Sequence, residues 1–293
     1  MAAGRPILCV GAAHWDLIAR AAAPLEPGAD VPGRIARQPG GVALNVALAL
    51  SALGRSVALL AAVGRDAAGA DLLAEAESRG VVTTHVTRIA GPSDLYVAIE
   101  DAAGEIFAAV ADCRRLEAAG TEISRPLRDG TLAGPGTPWT GDVVVDGNLS
   151  EAALIEIAGA VAGRLAIVPA SPAKAARLAP LLGRVRATLY VNRREAEAIL
   201  GTALPDSAAA AVALRDRGAH EVVVTDGAAP AAEASAAGLV SIAPPRVVTR
   251  GLTGAGDRFL AAHLAAREDG LPPDAALRAA VDASVAHISA EVP

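Results

Sequence analysis

The chain has 293 residues and a net charge of −6 at neutral pH, with 26 Lys and Arg against 32 Asp and Glu. The acidic balance, without a dense Lys/Arg stripe, excludes a nucleic-acid binder that works by neutralising phosphates. No run of about 18 uncharged apolar residues marks a membrane span, and the length suits one large α/β domain with a decorating element, or two small domains.

The first element is RPILCVGAA (5–13), a short apolar run that predicts a buried strand rather than a signal peptide. With no targeting signal, the expected location is the cytoplasm. Cys9 in this run fits a small buried hydrophobe. With Cys113 it makes neither a disulfide framework nor a metal site, and the five scattered histidines lack His-x-x-x-His spacing. Asp16 follows in GAAHWD, placed as a carboxylate just after a strand. It could accept hydrogen bonds from two vicinal hydroxyls, or cap a loop. His14 and Trp15 beside it fit packing roles. The segment also lacks Gly-x-Gly-x-x-Gly, which argues against a dinucleotide-binding oxidoreductase.

Residues 17–39 mix charge, proline and short apolar pieces. Gly40-Gly41 then opens a helix over 42–53, with Gly54 as its stop. Paired glycines let a polyol approach backbone, and the amide of Asn45 can both donate to and accept from hydroxyls. A plain helix start with a solvent-facing Asn45 is the reading that this segment by itself favours. A strand (56–64) and a helix (67–79) follow. Residues 95–110 predict a hairpin turning at 101–104. Together with 17–39 it would form a small sheet beside the main one, placed as a lid. Residues 113–140 fit a helix and then a loop.

The middle of the chain alternates regularly. Strands are predicted at 141–150, 165–170, 187–192 and 221–227, with helices at about 151–162, 173–182, 194–200 and 207–217. Two helices, 255–269 and 274–289, end the chain. Alternation of this kind implies a doubly wound, mainly parallel α/β sheet, whose ligands gather at the carboxyl ends of the strands. Asp16, Asn148, Asn192 and Gly227 fall just after predicted strands, and so does the 251–257 loop. The composition is rich in Ala and Arg but holds one Lys (Lys174) and three Asn (45, 148 and 192), which marks these positions. Lys174 could meet a phosphate or sit as a solvated helix lysine. Asn192 with Glu195 supplies oxygen ligands suited to Mg²⁺, which keeps several waters. The same pair also fits a capping box.

The last element with chemistry is Thr253-Gly254-Ala255-Gly256-Asp257, just before an apolar-periodic helix. Glycines and the free N–H groups of a helix start make an anion site, which would stabilise a phosphoryl group in transfer. Asp257 could then take the proton of an attacking hydroxyl. An acidic first turn after a Gly-rich bend is the plainer alternative.

Taken in order, these pieces resemble the ribokinase-like (PfkB) carbohydrate kinase family. Gly40, Gly41 and Asn45 match its Gly-Gly signature, Asn192 and Glu195 its Asn-x-x-Glu element, and Gly254 to Asp257 its Gly-Ala-Gly-Asp element. The resemblance runs over about residues 6–290. It implies a single ribokinase-like kinase domain over 1–293, with a β-sheet lid from segments 17–39 and 95–110 that in many members forms a homodimer contact. It implies ATP and Mg²⁺. Asp257 would be the base, with Gly254, Ala255 and Gly256 as anion hole. Asp16, Gly40, Gly41, Asn45 and Asn148 would hold substrate. Asn192, Thr225, Gly227, Thr253, Gly254 and Gly256 would hold nucleotide, and Asn192 and Glu195 the metal, mostly through water.

Within the family the segments VDGNLS, VPASPAKAARL and YVNRREAEAILG are most similar to pseudouridine kinases, implying transfer to a ribose 5′-hydroxyl. Another sugar kinase, acting on ribose, a ketose or a keto-deoxy sugar acid, is the alternative, and a binding protein that has lost activity is a third. Three departures stand out. Gly251 replaces an Asp that supports a monovalent cation in the family, so potassium activation does not carry over. Pro230 replaces a loop glycine near the nucleotide, and Val168 an Asp or Asn.

Overall fold

A computed structural model describes residues 5–28, 30–102, 104, 106–248 and 254–289. In chain order the elements are β1 (Ile7–Val10), β2 (His14–Ala21), β3 (Gly33–Gly40), α1 (Val42–Ala52), β4 (Val57–Leu60), β5 (Ala62–Gly64) and α2 (Ala67–Ser78). Then come β6 (Val81–Val82), β7 (Thr87–Ile89), β8 (Leu95–Glu100), β9 (Ile106–Asp112) and α3 (Arg114–Ala119). The next run is β10 (Val143–Asp146), α4 (Glu151–Ala160), β11 (Leu165–Val168), α5 (Pro172–Ala175), β12 (Thr188–Asn192), α6 (Arg193–Leu200) and α7 (Ser207–Asp216). The chain closes with β13 (Glu221–Asp226), β14 (Ala229–Ser235), β15 (Gly238–Ile242), α8 (Ala255–Glu268) and α9 (Pro273–Ser289).

Nine strands form the main sheet in the order β15-β14-β13-β12-β11-β10-β1-β4-β6. Pairings from β6 across to β13 are parallel, and the last two are antiparallel. Successive side chains of a strand point to opposite faces, so a strand covered on both sides must be apolar throughout. β1 shows this. Ile7 and Cys9 join the core under α1, α2, α8 and α9, while Leu8 and Val10 join the core under α3, α4, α6 and α7. Strands β14 and β15 were not foreseen in the sequence. In β14 the run APAAEAS carries alanines in place of the branched residues that mark a strand, and β15, GLVSI, is short and opens on glycine. The predicted 173–182 helix is a short α5 continued as a 3-10 turn through Leu181, because Pro180 cannot extend an α-helical ladder.

A second, four-stranded sheet lies apart, in the order β3-β2-β8-β9. Its strands run slightly beyond the expected segments, and Asp16 lies inside β2 instead of trailing the first strand. The chain turns out of the main sheet within three residues after Val10. Register sets the two faces of this small sheet. Asp16 pairs across to Tyr96, so both side chains look one way. Leu17, Ile35, Val97, Ile99 and Val110 look the other way, and Ile35, Ile99 and Val110 stay exposed.

The strand order of the main sheet reverses between β1 and β10, the place at which doubly wound sheets bind ligands. Asp146 ends β10 there with no solvent exposure. Its carboxylate accepts from the N–H groups of Ala12 (2.7 Å), Asn148 (2.9 Å) and Ala43 (3.2 Å). One side chain thereby joins the end of β1, the start of α1 and its own turn. Gly11 makes room, since a Cβ there would lie 2.3 Å from the Asp146 carboxyl. Asp146→Ala is expected to strand three N–H groups, two of them buried, and destabilise the fold by about 3 kcal/mol or more, measured by urea denaturation. A loss below about 1 kcal/mol would show that the clamp is not holding the switch point.

Candidate active site

The site is built from two helix starts that face each other. The first belongs to α1. Gly41, at φ 92°, turns the chain into the helix, and a Cβ there would come within 2.4 Å of the Ala12 carbonyl. Only a glycine allows that approach at that backbone angle. Gly40 serves a different need, because a Cβ on it would lie 2.0 Å from Asp16 Oδ1. Its bareness admits the buried Asp16 side chain, whose Oδ1 also lies 2.9 Å from His14 Nδ1.

The second start belongs to α8. Gly254 adopts a left-handed φ of 80° at the N-cap and offers no side-chain acceptor to the first N–H groups of the helix. Asp257 follows in the first turn. Its Oδ2 accepts from Asn45 Nδ2 at 3.0 Å, so the two glycine-led helices are joined by this pair of side chains. Asn45 is thus not the solvent-facing residue that the plainer reading allowed. Burial pushes the Asp257 carboxyl up to about 7, opposed by the Asn45 hydrogen bond and assisted by the negative charges of Asp146, Asp16 and Glu195.

A cavity of about 250 Å³ opens here, lined among others by Gly254, Gly256, Asp257, Asn192, Glu195 and Thr225. Three sequence elements separated by up to 65 residues therefore share one space. Asn192 and Glu195 form the capping box of α6: Asn192 Oδ1 accepts from the Glu195 N–H, and Glu195 Oε2 from the Asn192 N–H, each at 2.9 Å. Burial raises the Glu195 carboxyl above its ordinary range, against that N–H contact. Among the described residues, no three His, Cys, Asp or Glu side chains gather to hold a metal directly. The oxygen donors here fit Mg²⁺ held mainly through its waters, since one Glu195 oxygen is committed to the cap.

Other expected residues take distinct places. Asn148 lies past β10, donating its N–H to Asp146, and its Oδ1 accepts from Lys174 Nζ. Lys174 is therefore not a free solvated lysine but the partner of the Asn148 amide. Gly227 makes the turn between β13 and β14 at φ 58°, two residues beyond the cavity-lining Thr225. Pro230 lies in β14, and Val168 lines the cavity. Thr253 and Gly251 lie outside the described residues.

Sequence reasoning missed Asp146, Ala170 and Tyr190 as parts of this region. Asp146 carried a signal, an acid directly after three valines that belong in a sealed strand. Ala170 did not: its φ of 72° at the cavity wall is a property of the folded loop.

The model of the pfkB family carbohydrate kinases matches residues 5–291. The chain belongs to the PfkB family of carbohydrate kinases. It is a sugar or nucleoside kinase, a phosphotransferase acting on a hydroxyl group. This PfkB kinase is 29% identical to the pseudouridine kinase of Escherichia coli (strain K12), over 97% of this chain and 91% of that one. It is also 29% identical to a carbohydrate kinase from Agrobacterium tumefaciens, with a TM-score of 0.78 over 96% of this chain and 90% of the other. The ribokinase of Thermotoga maritima shares the fold, with a TM-score of 0.80 at 20% identity over 97% and 93% of the two chains. Among the described residues, no helix is long and apolar enough to cross a membrane.

The raised Asp257 carboxyl has a consequence for stability. Its folded value near 7 lies above the ordinary carboxylate value of about 3.9. Holding it ionised therefore opposes folding increasingly as pH rises from about 4 to about 7, and no further above that. Asp257→Asn should match the wild-type melting temperature near pH 4 and exceed it by a margin that grows and levels off above pH 7. Thermal unfolding across that range checks this. A margin independent of pH would mean that the carboxyl titrates normally.

Proposed function

We propose that the chain transfers the terminal phosphoryl group of ATP to the 5′-hydroxyl of pseudouridine. The observation that carries the kinase chemistry is the meeting of Asp257 with the glycine-led start of α8 and the Asn192–Glu195 element on one cavity. Asp257 takes the proton of the hydroxyl as the new O–P bond forms. The bond from the terminal phosphorus to the bridging oxygen breaks, and ADP leaves. A carboxyl near 7 suits a base that works at neutral pH. The N–H groups at Gly254 to Gly256, with the helix dipole behind them, face the charge that builds on the transferred group. Mg²⁺, held by Glu195 and Asn192 largely through water, would neutralise phosphate charge when bound.

On the acceptor side, Asp16, Asn45 and Asn148 would meet the sugar hydroxyls, with Gly40 and Gly41 allowing the close approach. Thr225, and the turn at Gly227 beyond it, would border the nucleotide together with Thr253. The whole chain works as one kinase domain, with the small sheet closing over the acceptor. A second copy would cover the apolar outer face at Ile35, Ile99 and Val110.

The choice of pseudouridine rests on the E. coli relative and on the segments around Asn148, Lys174 and Asn192. The equal identity to the Agrobacterium carbohydrate kinase favours a second reading, in which the acceptor is a free sugar or sugar acid. Turnover assays with ATP against pseudouridine, ribose, ketoses and a keto-deoxy sugar acid separate the two. Phosphorylation of a free sugar without turnover of pseudouridine would sink the first.

Asp257→Asn should lower turnover at least about a hundredfold while ATP binding, measured by calorimetry, is kept. An unaffected rate would remove Asp257 from the mechanism. In the wild type, kcat/KM should rise with pH to a midpoint near 7 and then flatten, because only the ionised carboxylate accepts the proton. Val110→Asp on the outer face of the lid should shift the protein from dimer to monomer at micromolar concentration, read by light scattering. A wild-type monomer would contradict the dimer.

A further inference from the structure

At the cavity wall and behind it lies a set of polar groups that phosphoryl transfer does not call for. Tyr190 on β12, His263 on α8 and Glu233 on β14 are respectively 5%, 1% and 2% exposed. Tyr190 Oη lies 2.8 Å from His263 Nδ1, and His263 Nε2 lies 3.0 Å from Glu233 Oε2. With the imidazole neutral, the phenol donates to Nδ1 and the Nε2–H donates to the Glu233 carboxylate, so each group in the chain has its partner. Burial raises the Tyr190 hydroxyl well above its ordinary range and keeps it in the donating form.

The sheet register shows why these three meet. Tyr190 pairs with Val223, and Val223 pairs with Glu233, so the three side chains stand in one row on the face that α8 covers. Tyr190 and Glu233 are two strands apart, about 10 Å. His263 reaches down from α8 between them and holds both. Tyr190 and Val223 also line the cavity.

The surrounding helix surface explains what such a clasp adds. The buried side chains of α8 include Phe259, Leu260 and Leu264 beside Ala261, Ala262, Ala265 and Ala266. Apolar packing is non-directional, and a buried polar group costs stability unless it is fully bonded. A hydrogen-bonded histidine adds the directional contact that apolar packing lacks. Asp257 lies six residues earlier on the same helix, about 9 Å along its axis. β12, the strand that holds Tyr190, ends in Asn192.

We propose that Tyr190, His263 and Glu233 are positioning residues that fix α8 on the sheet and thereby set the Asp257 carboxylate and the Gly254–Gly256 amides relative to the Asn192–Glu195 element. Their polar atoms engage one another. Their effect is on geometry, where about 1 Å of misplacement can cost on the order of a hundredfold in rate.

The test uses Tyr190→Phe and His263→Gln in the full chain, with Leu214→Ala, a core truncation on the opposite face of the sheet, as a control for general destabilisation. The first readout is hydrogen–deuterium exchange of the Arg258–Ala261 amides, normalised to the Ile7–Val10 amides of β1, and needs no substrate. Both network variants should raise this ratio at least about tenfold, and Leu214→Ala should leave it unchanged. The second readout is turnover of pseudouridine with ATP. The network variants should lose about tenfold in kcat with the acceptor KM held within about twofold. Glu233→Gln, which keeps an acceptor for the imidazole N–H, should stay within about threefold of wild type in kcat. An unchanged exchange ratio in Tyr190→Phe and His263→Gln, or a kcat loss matched by Leu214→Ala, would overturn the proposal. If the wild type does not turn over pseudouridine, the substrate reading fails by itself, and the exchange ratio still decides this one.

Discussion

A carboxylate without access to water sits where the sheet changes direction, and the site depends on it. Asp146 binds the N–H groups of Ala12, Ala43 and Asn148, which belong to the end of β1, the beginning of α1 and the turn after β10. Buried acids are costly unless their oxygens are hydrogen-bonded. Here three backbone donors, each of which would itself be costly to leave unpaired, meet that need together. The α1 start is thereby drawn against the sheet, and with it Asn45, which holds Asp257. The chain of dependence runs from a structural acid, through a helix position, to the acid that faces the cavity.

Negative charge is concentrated around that cavity. Asp16, Asp146 and Glu195 all push the Asp257 carboxyl upward, and burial contributes most. Such an arrangement disfavours ionisation before ligands arrive and suits a base whose working range is near neutral pH. The same acids favour a cation in the vicinity. Burial raises Glu195 as well, while its capping contact with the Asn192 N–H pulls the other way. One pair of side chains thus serves both as helix cap and as the border of the polar cavity. The two readings that the sequence left open are compatible, because a cap uses only one carboxylate oxygen.

The two sheets divide the work differently. The main sheet is apolar on both faces and rigid by burial, so it can carry a buried Tyr–His–Glu chain without solvent competing for the hydrogen bonds. The small sheet carries Asp16 and Tyr96 on one face and shows the other to the surroundings through Ile35, Ile99 and Val110. Arg37 stacks over Trp15, whose indole N–H donates to the Ala68 carbonyl at 2.8 Å, anchoring the small sheet on α2.

The sequence by itself determined the alternation of strand and helix, the three glycine- or asparagine-led motifs and their order, and the acid that ends the last of them. These are local matters: apolar runs bounded by Gly, and residue types suited to helix starts. It did not reveal β14, whose alanines carry little strand preference, nor the short β15 that pairs with it. Nor did it reveal that Gly40 is bare to admit Asp16, since the two are neighbours only across a strand pair. Asp146 was visible as an acid after three valines, but its three amide partners lie up to 134 residues away. The clasp at Tyr190, His263 and Glu233 was hidden altogether, because no spacing in the chain marks residues that meet through sheet register and helix packing. Tertiary structure alone decided which polar side chains share a buried space. That decision sets the carboxyl value of Asp257, because desolvation and neighbouring charge act through distance in space and not along the chain.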